Sequence, residues 1–181
     1  MNNELIDITG WGGIMTAEHR RRDESGEYRT IHKQVGHNLV TTEGMAHILD
    51  VIFNGATLAS STWYIGLIGD NTTPVVGDTY AAPAFAEAAG YDEATRVAYV
   101  EAAAAGTTTV VTTNSASKAT FTLDGTDATI YGAFVCSNST KDDTVAASAV
   151  LMAAKLFSSS RPVVDDDQLL ITYSFSLTNA A

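Results

Sequence analysis

The chain has 181 residues and a formal net charge of −11, with hydrophobic residues at 45% and charged residues at only 17%. A chain of this length buries about 70% of its unfolded surface and needs neither a disulfide nor a metal to fold. Its acidic balance argues against nucleic-acid phosphates or anionic membranes as direct partners, and its single cysteine excludes an internal disulfide or a cysteine-rich zinc site.

The charged fraction is below the usual ~25%, and Thr, Ser and Ala fill the difference. That composition points to a β-rich protein whose surface is partly covered by neighbours. Residues 1–37 hold five basic and six acidic residues, and the remainder five basic and 15 acidic, so the acidity resides in the body. The opening "MNNELIDITGWGG" has no basic run followed by an apolar one, as a secretory signal would. No stretch of 18 apolar residues occurs. The expectation is a soluble protein made in a cytoplasm, in which the sequons at Asn71 and Asn138 carry little weight.

Residues 1–37 read as an extended N-terminal arm. They combine three early glycines, the charged run "EHRRRDESGE" and scattered anchors Leu5, Ile6, Ile8, Trp11, Ile14 and Met15 without helical spacing. Such a segment is too polar to form its own core, and its anchors suit docking on a partner. Within it, "EYRTIHKQV" alternates as a first strand would. Residues 38–181 read as the body. "TTEGMAHILDVIFNG" is a helix, with Thr41 or Thr42 as N-cap, Glu43 in the first turn and Gly55 as a stop. Its apolar face is Met45, Ile48, Leu49, Ile52 and Phe53.

Beyond Gly55 the helical period disappears. "TWYIGLIG" (62–69) reads as a buried strand, followed by a long loop with turn signals at Pro74, Gly77-Asp78 and Pro83 and room for a short helix near 84–89. Strands follow at 95–104, 107–113, 118–124 and 128–138. Residues 145–159 are ambiguous but lean to strand, since turn signals recur every 8–12 residues. "QLLITYSFSLT" (168–178) turns Leu169, Ile171, Tyr173, Phe175 and Leu177 inward. Seven or eight short strands, one helix and no strand–helix alternation give an antiparallel β-sandwich or jelly-roll-like body.

Few residues suggest chemistry. His19, His32, His37 and His47 lack metal-ligand spacing, and no H-E-x-x-H is present. Asp165, Asp166 and Asp167 read as a solvated turn rather than a Ca²⁺ loop, and Asp142-Asp143 and Asp92-Glu93 have the same status. Paired carboxylates for glycoside hydrolysis are not pointed to, because only two tryptophans are available to line a sugar groove. Arg20, Arg21 and Arg22 sit among acidic residues and suit protein contact. Phosphate-cradling glycine loops and a nucleophile elbow are absent. Cys136 ends a strand with both faces apolar: Tyr131, Ala133 and Val135 on one, and Ile130, Gly132, Phe134 and Cys136 on the other. It reads as a small buried hydrophobe. No catalytic, cofactor-binding or metal-ligating residue is therefore expected.

Five blocks taken in order, "HNLVTTEGMAHILDVIFNG", "WYIGLIGD", "AAGYDEATRVAYV", "IYGAFVCSN" and "RPVVDDDQLLITYSFSL", resemble a group of tailed-bacteriophage virion proteins over about residues 37–178. Tyr91 stands where that pattern has Trp, and Asp166-Asp167-Gln168-Leu169 where it has Gly-Asp-x-Leu. The resemblance implies a non-enzymatic virion structural protein, a head decoration (cement) protein on the capsid surface, made in a host bacterial cytoplasm. Its partner would be the major capsid protein, its own association a dimer or trimer, and its contact the arm with Leu5, Ile6, Ile8, Trp11, Ile14, Met15, Arg20, Arg21 and Arg22. Alternatives are a tail component (tube, adaptor or fibre-associated) and a carbohydrate-binding module using Trp63 or Tyr91.

Overall fold

A computed structural model describes residues 11–142, 146 and 148–178. Two antiparallel sheets face each other. The first contains β2 (Tyr28–His37), β1 (Trp11–Arg22), β11 (Gln168–Thr178) and β7 (Thr109–Thr113) in that order, with β8 (Ala119–Thr122) on β11 beyond β7. The second contains β3 (Leu39–Val40), β10 (Leu151–Pro162), β9 (Thr129–Cys136), β4 (Trp63–Ile68) and β5 (Glu87–Ala88), with β6 (Val97–Tyr99) also on β4. Eight described strands have four residues or more, and β3, β5 and β6 are two or three residues long. The architecture is the sandwich that the alternating patterns imply.

The inner faces interdigitate into one core. Met15 and Ala17 of β1, Phe121 of β8 and Leu169, Ile171 and Tyr173 of β11 meet Ile65 and Leu67 of β4 and Ala133 and Val135 of β9. On β11 the expected inward set is buried through Tyr173, half-buried at Phe175 and exposed at Leu177, where the strand runs past the core. Tyr173 sends its hydroxyl across the core to the Ala133 carbonyl at 2.7 Å, so the polar end of this fully buried ring is satisfied. On the outer side of the second sheet, Phe134, Cys136 and Leu151 pack with Tyr80 and Phe85 of the long loop. Strand β9 is thus covered on both faces. Its expected alternation holds from Ala133 to Cys136. Ile130 and Tyr131 have exchanged sides, next to the irregular pairing where Leu156 faces Gly132 but Arg161 faces Ile130.

The expected boundary at residue 37 requires correction. Trp11–Arg22 pairs with β11 over ten positions, from Trp11 opposite Leu177 to Arg20 opposite Gln168, and Tyr28–His37 folds back on it. Residues 11–37 are a β-hairpin of the body. The chain then passes at Asn38 into the second sheet, the Asn38 amide donating to the Gly13 carbonyl at 3.1 Å. Leu5, Ile6 and Ile8 lie outside the described residues. The helix expected near 84–89 is replaced by β5, which pairs with Leu67 and Ile68; sheet pairing here overrides the helix preference of the alanines.

Helix α1 (Thr42–Phe53) has Thr41 as its N-cap, with its hydroxyl accepting from the Gly44 amide at 3.0 Å and donating to the Leu151 carbonyl. Glu43 turns back and accepts from the amides of Leu151 at 2.6 Å and Tyr80 at 2.8 Å. These bonds press the helix start onto β10. A Cβ on Gly44 would lie 2.6 Å from the Met152 carbonyl oxygen and 2.8 Å from its Cα. The expected apolar face is only half used: Met45 and Ile48 pack on the core, whereas Leu49, Ile52 and Phe53 face solvent, Phe53 at 81%. Gly44→Ala tests this packing. Alanine favours a helix over glycine by about 1 kcal/mol, but the backbone clash should outweigh that gain and lower stability by about 1–2 kcal/mol, read from urea denaturation.

Candidate functional site

The three arginines at the end of β1 diverge. Arg20 lies 3.5 Å from Glu18, and Arg22 donates to the Gly26 carbonyl at 3.1 Å while stacking over the Tyr28 ring. Arg21 grips Asp167 with two bonds, Nε to Oδ1 at 2.7 Å and Nη2 to Oδ2 at 2.6 Å. Asp167 is 1% exposed and also accepts from the Val164 amide at 3.0 Å. His19, equally buried, completes the set with Nε2 2.9 Å from Oδ2. The Arg161 Nε donates to its Nδ1 at 3.3 Å. A guanidinium has no acceptor, so Nδ1 is unprotonated and the Nε2–H donates to Asp167.

Burial lowers the His19 pKa from the ordinary value, with Arg161 and Arg21 adding to the effect and Asp167 opposing it. For Asp167 burial opposes ionisation, but Arg21, the Val164 amide and His19 outweigh it and hold the carboxyl below the usual range. The pair is therefore neutral imidazole beside carboxylate at neutral pH. It resembles a general-base dyad in composition, but Arg161 covers the nitrogen a substrate would need. Its action is mechanical: it ties β1 to the turn before β11, where Asp166 holds a left-handed φ of 67°. The expectation that Asp165–Asp167 form a solvated turn is right for Asp165 and Asp166, which are exposed, and wrong for Asp167.

Glu18, next along β1, is the second charged centre. Lys118 at 2.6 Å, Lys33 at 3.2 Å and Arg20 surround it. The Lys118 bond is the main reason its pKa is lowered, against a burial penalty.

The third centre is Arg96, 3% exposed. It pairs with Glu87 through Nε at 2.8 Å and Nη2 at 2.6 Å, and its Nη1 reaches the Tyr80 hydroxyl at 2.8 Å, the Asn138 carbonyl at 3.0 Å and the Cys136 sulfur at 3.4 Å. It walls a cavity of about 250 Å³ with Phe85 and Phe134. A neighbouring cation ordinarily activates a thiol. Here burial dominates, and Cys136 is pushed up to about 11 despite Arg96. Its S–H points at the Asn138 carbonyl, 3.3 Å away. The thiol stays protonated at neutral pH and is no activated nucleophile.

Of the other histidines, His32 is the cross-strand neighbour of His19, whereas His37 stands opposite Ile14 and His47 accepts from the Ala59 amide at 3.2 Å and meets Trp63 edge-on. Among the described residues no group of three His, Cys, Asp or Glu could hold a metal ion. Tyr91, a sugar-stacking candidate, is 2% exposed and packs edge-to-face on Phe121, so it offers no face to a glycan. Trp63 is half-buried.

The outer face of the hairpin carries exposed aliphatics among polar residues such as Thr16, Lys33 and His37. Ile14, Ile31 and Val35 are all exposed, Val35 at 59%. Val35 lies opposite Thr16, one step along the face from Ile14 opposite His37, so the two are diagonal neighbours. Met15, expected as a partner anchor, points the other way and is buried in the core.

No known protein family, curated protein or solved structure matches the chain.

Sequence reasoning missed all three buried charged centres. A lone aspartate in "DDDQ" or arginine in "EATRV" carries no local mark of burial; only the tertiary partner distinguishes it. Removing the Asp167 carboxylate with Asp167→Ala should cost about 3 kcal/mol by leaving buried His19 without its acceptor and Arg21 without its ion-pair partner, measured by urea denaturation. Because the folded-state pKa of His19 is depressed, unfolded chains take up its proton first. The stability it contributes is present above about pH 6.5 and is lost as pH falls through the folded value. His19→Gln, which can still donate to Asp167 and accept from Arg161, should flatten that acid-side slope. Cys136 should resist iodoacetamide in the native protein at about pH 8 and react once the chain is unfolded in urea.

Proposed function

We propose that the chain is a structural protein of a tailed-bacteriophage virion: a head decoration (cement) protein that binds and stabilises the lattice of the major capsid protein and associates with itself as a dimer or trimer. The observation that carries the reading is the set of exposed aliphatics on the outer face of the first hairpin, Ile14, Ile31 and Val35, on a hairpin whose first strand follows the anchors Leu5, Ile6 and Ile8 in sequence. Exposed aliphatics on a sheet face are a cost in an isolated monomer and suit a contact surface. The five sequence blocks that resemble those of virion proteins support it, as does the use of buried charge for clasps rather than for an open reaction centre. The strongly acidic body suits an outward position, away from packaged DNA.

The hairpin alters how the reading is tested. Deleting residues 1–36 would remove β1 with Met15, Ala17 and His19 and unfold the body, so the deletion has to stop short of β1. A variant lacking residues 2–10, and a second carrying Ile14→Asp and Val35→Asp, should keep their melting temperatures within a few degrees. Both should lose co-sedimentation with undecorated capsids by about tenfold or more in affinity. Full-affinity decoration by both variants would overturn the assignment of the contact. Gold-labelled protein found on tails rather than heads would move it to the tail-component reading.

A further inference from the structure

Two long stretches of the chain carry almost no positive charge. Residues 34–95 contain no lysine or arginine and seven acidic residues, and residues 97–117 add only Glu101. The single cation between them, Arg96, is buried against Glu87. These segments supply α1, β4, β6, β7 and the run 101–105 that pairs alongside β7 through Ala102 and Ala105.

The sandwich is open here. A groove of about 430 Å³ enters between α1 and residues 101–104, with Ile48, Trp63, Tyr99 and Phe175 as walls and Val135 and Met152 reaching it from the second sheet. That volume lies in the range of sites that bury a ligand or anchoring side chains. Glu101 stands on its rim. Leu49, Ile52 and Phe53 extend the apolar surface along α1 into solvent. The last turn of the helix holds no basic residue, so the negative end of its dipole is left without a side-chain cation.

We propose that this groove is the docking site for an apolar segment of a partner protein whose flanks carry lysine or arginine. Lining and charge point there independently. The lining takes aromatic or aliphatic side chains because it offers them little else. The Glu101 carboxylate on the rim, the helix C-terminus with no basic residue in its last turn and the lack of any lysine or arginine on α1, β4, β6, β7 or residues 101–105 attract basic flanks and repel acidic ones. An apolar segment with acidic neighbours, such as Leu5-Ile6-Asp7 after Glu4, has the wrong charge for it. The site is separate from the hairpin face and does not depend on the capsid reading.

The test uses the full chain and fluorescein-labelled peptides read by anisotropy. The probe is Lys-Lys-Leu-Phe-Leu-Lys-Lys, compared with a version having Glu for each Lys and a version having Ser for the three apolar residues. The basic apolar probe should bind about tenfold or more tightly than either control. Ala103→Phe, at an exposed position on the groove lip, should fill the entrance and weaken binding about tenfold with an unchanged melting temperature. Glu101→Lys should weaken it several-fold. Equal binding of the serine peptide would show bare charge attraction and overturn the proposal. So would equal binding of the Glu peptide, no binding of the probe, or indifference to Ala103→Phe.

Discussion

The pairing of the first described strand with the last sets the arrangement of the whole first sheet. Strand β1 lies along β11 for ten residues, and β11 in turn carries β7 on its C-terminal half and β8 on its N-terminal half. A residue-by-residue slip in that pairing would turn every inner side chain outward. It is held at one end by Asp167, which gathers Arg21, His19 and the Val164 amide. The clasp gives the sandwich a defined register at the point where the chain also makes its left-handed turn at Asp166. Ion pairs of this kind are poor sources of net stability, since desolvation offsets much of the attraction. Their larger effect is to penalise any arrangement that buries one partner alone.

The body was legible because its strands alternate cleanly. Leu169, Ile171 and Tyr173 announce an inward face, and Ala133 to Cys136 announce a strand covered on both sides. The hairpin was not legible for a physical reason. Its inner face is Met15, Ala17 and His19, one large, one small and one polar, so period-2 hydrophobicity fades. Its most charged stretch, Glu18 to Arg22, is the part that neutralises itself by pairing. A sequence window sees five polar residues and reads an arm. The fold sees two charge clusters whose partners are 100 residues or more away. The helix shows the opposite error. Its apolar stripe was plain, but Thr41, Glu43 and Gly44 seat only its first turns on β10, leaving Leu49, Ile52 and Phe53 free of the core.

The candidate sites divide along the same line. Cys136 lies in a strand whose neighbours announce burial, and Arg96 beside it does not change that, because the guanidinium is already committed to Glu87, Tyr80 and Asn138. A cation can lower a thiol pKa only to the extent that its field is unspent and the thiolate can be solvated. At this position the thiolate cannot be solvated, and burial outweighs the lowering that Arg96 exerts. The exposed aliphatics of the hairpin and of α1 are apolar surfaces outside these clusters.

Charge distribution gives those surfaces different characters. Seven of the ten lysines and arginines lie in the hairpin or bond to its side chains: Arg20, Arg21, Arg22, Arg29 and Lys33 lie within it, and Lys118 and Arg161 reach Glu18 and His19. The hairpin therefore presents its aliphatics amid mixed, largely paired charge, a setting that tolerates a neighbour of either sign. The α1 groove presents its aliphatics amid uncompensated negative charge, a setting that discriminates. The assembly role proposed for the chain would gain from that asymmetry. If both apolar patches sat in the same charge environment, each could take the other's partner. With one field neutral and the other negative, a single chain can hold two different neighbours without confusing them.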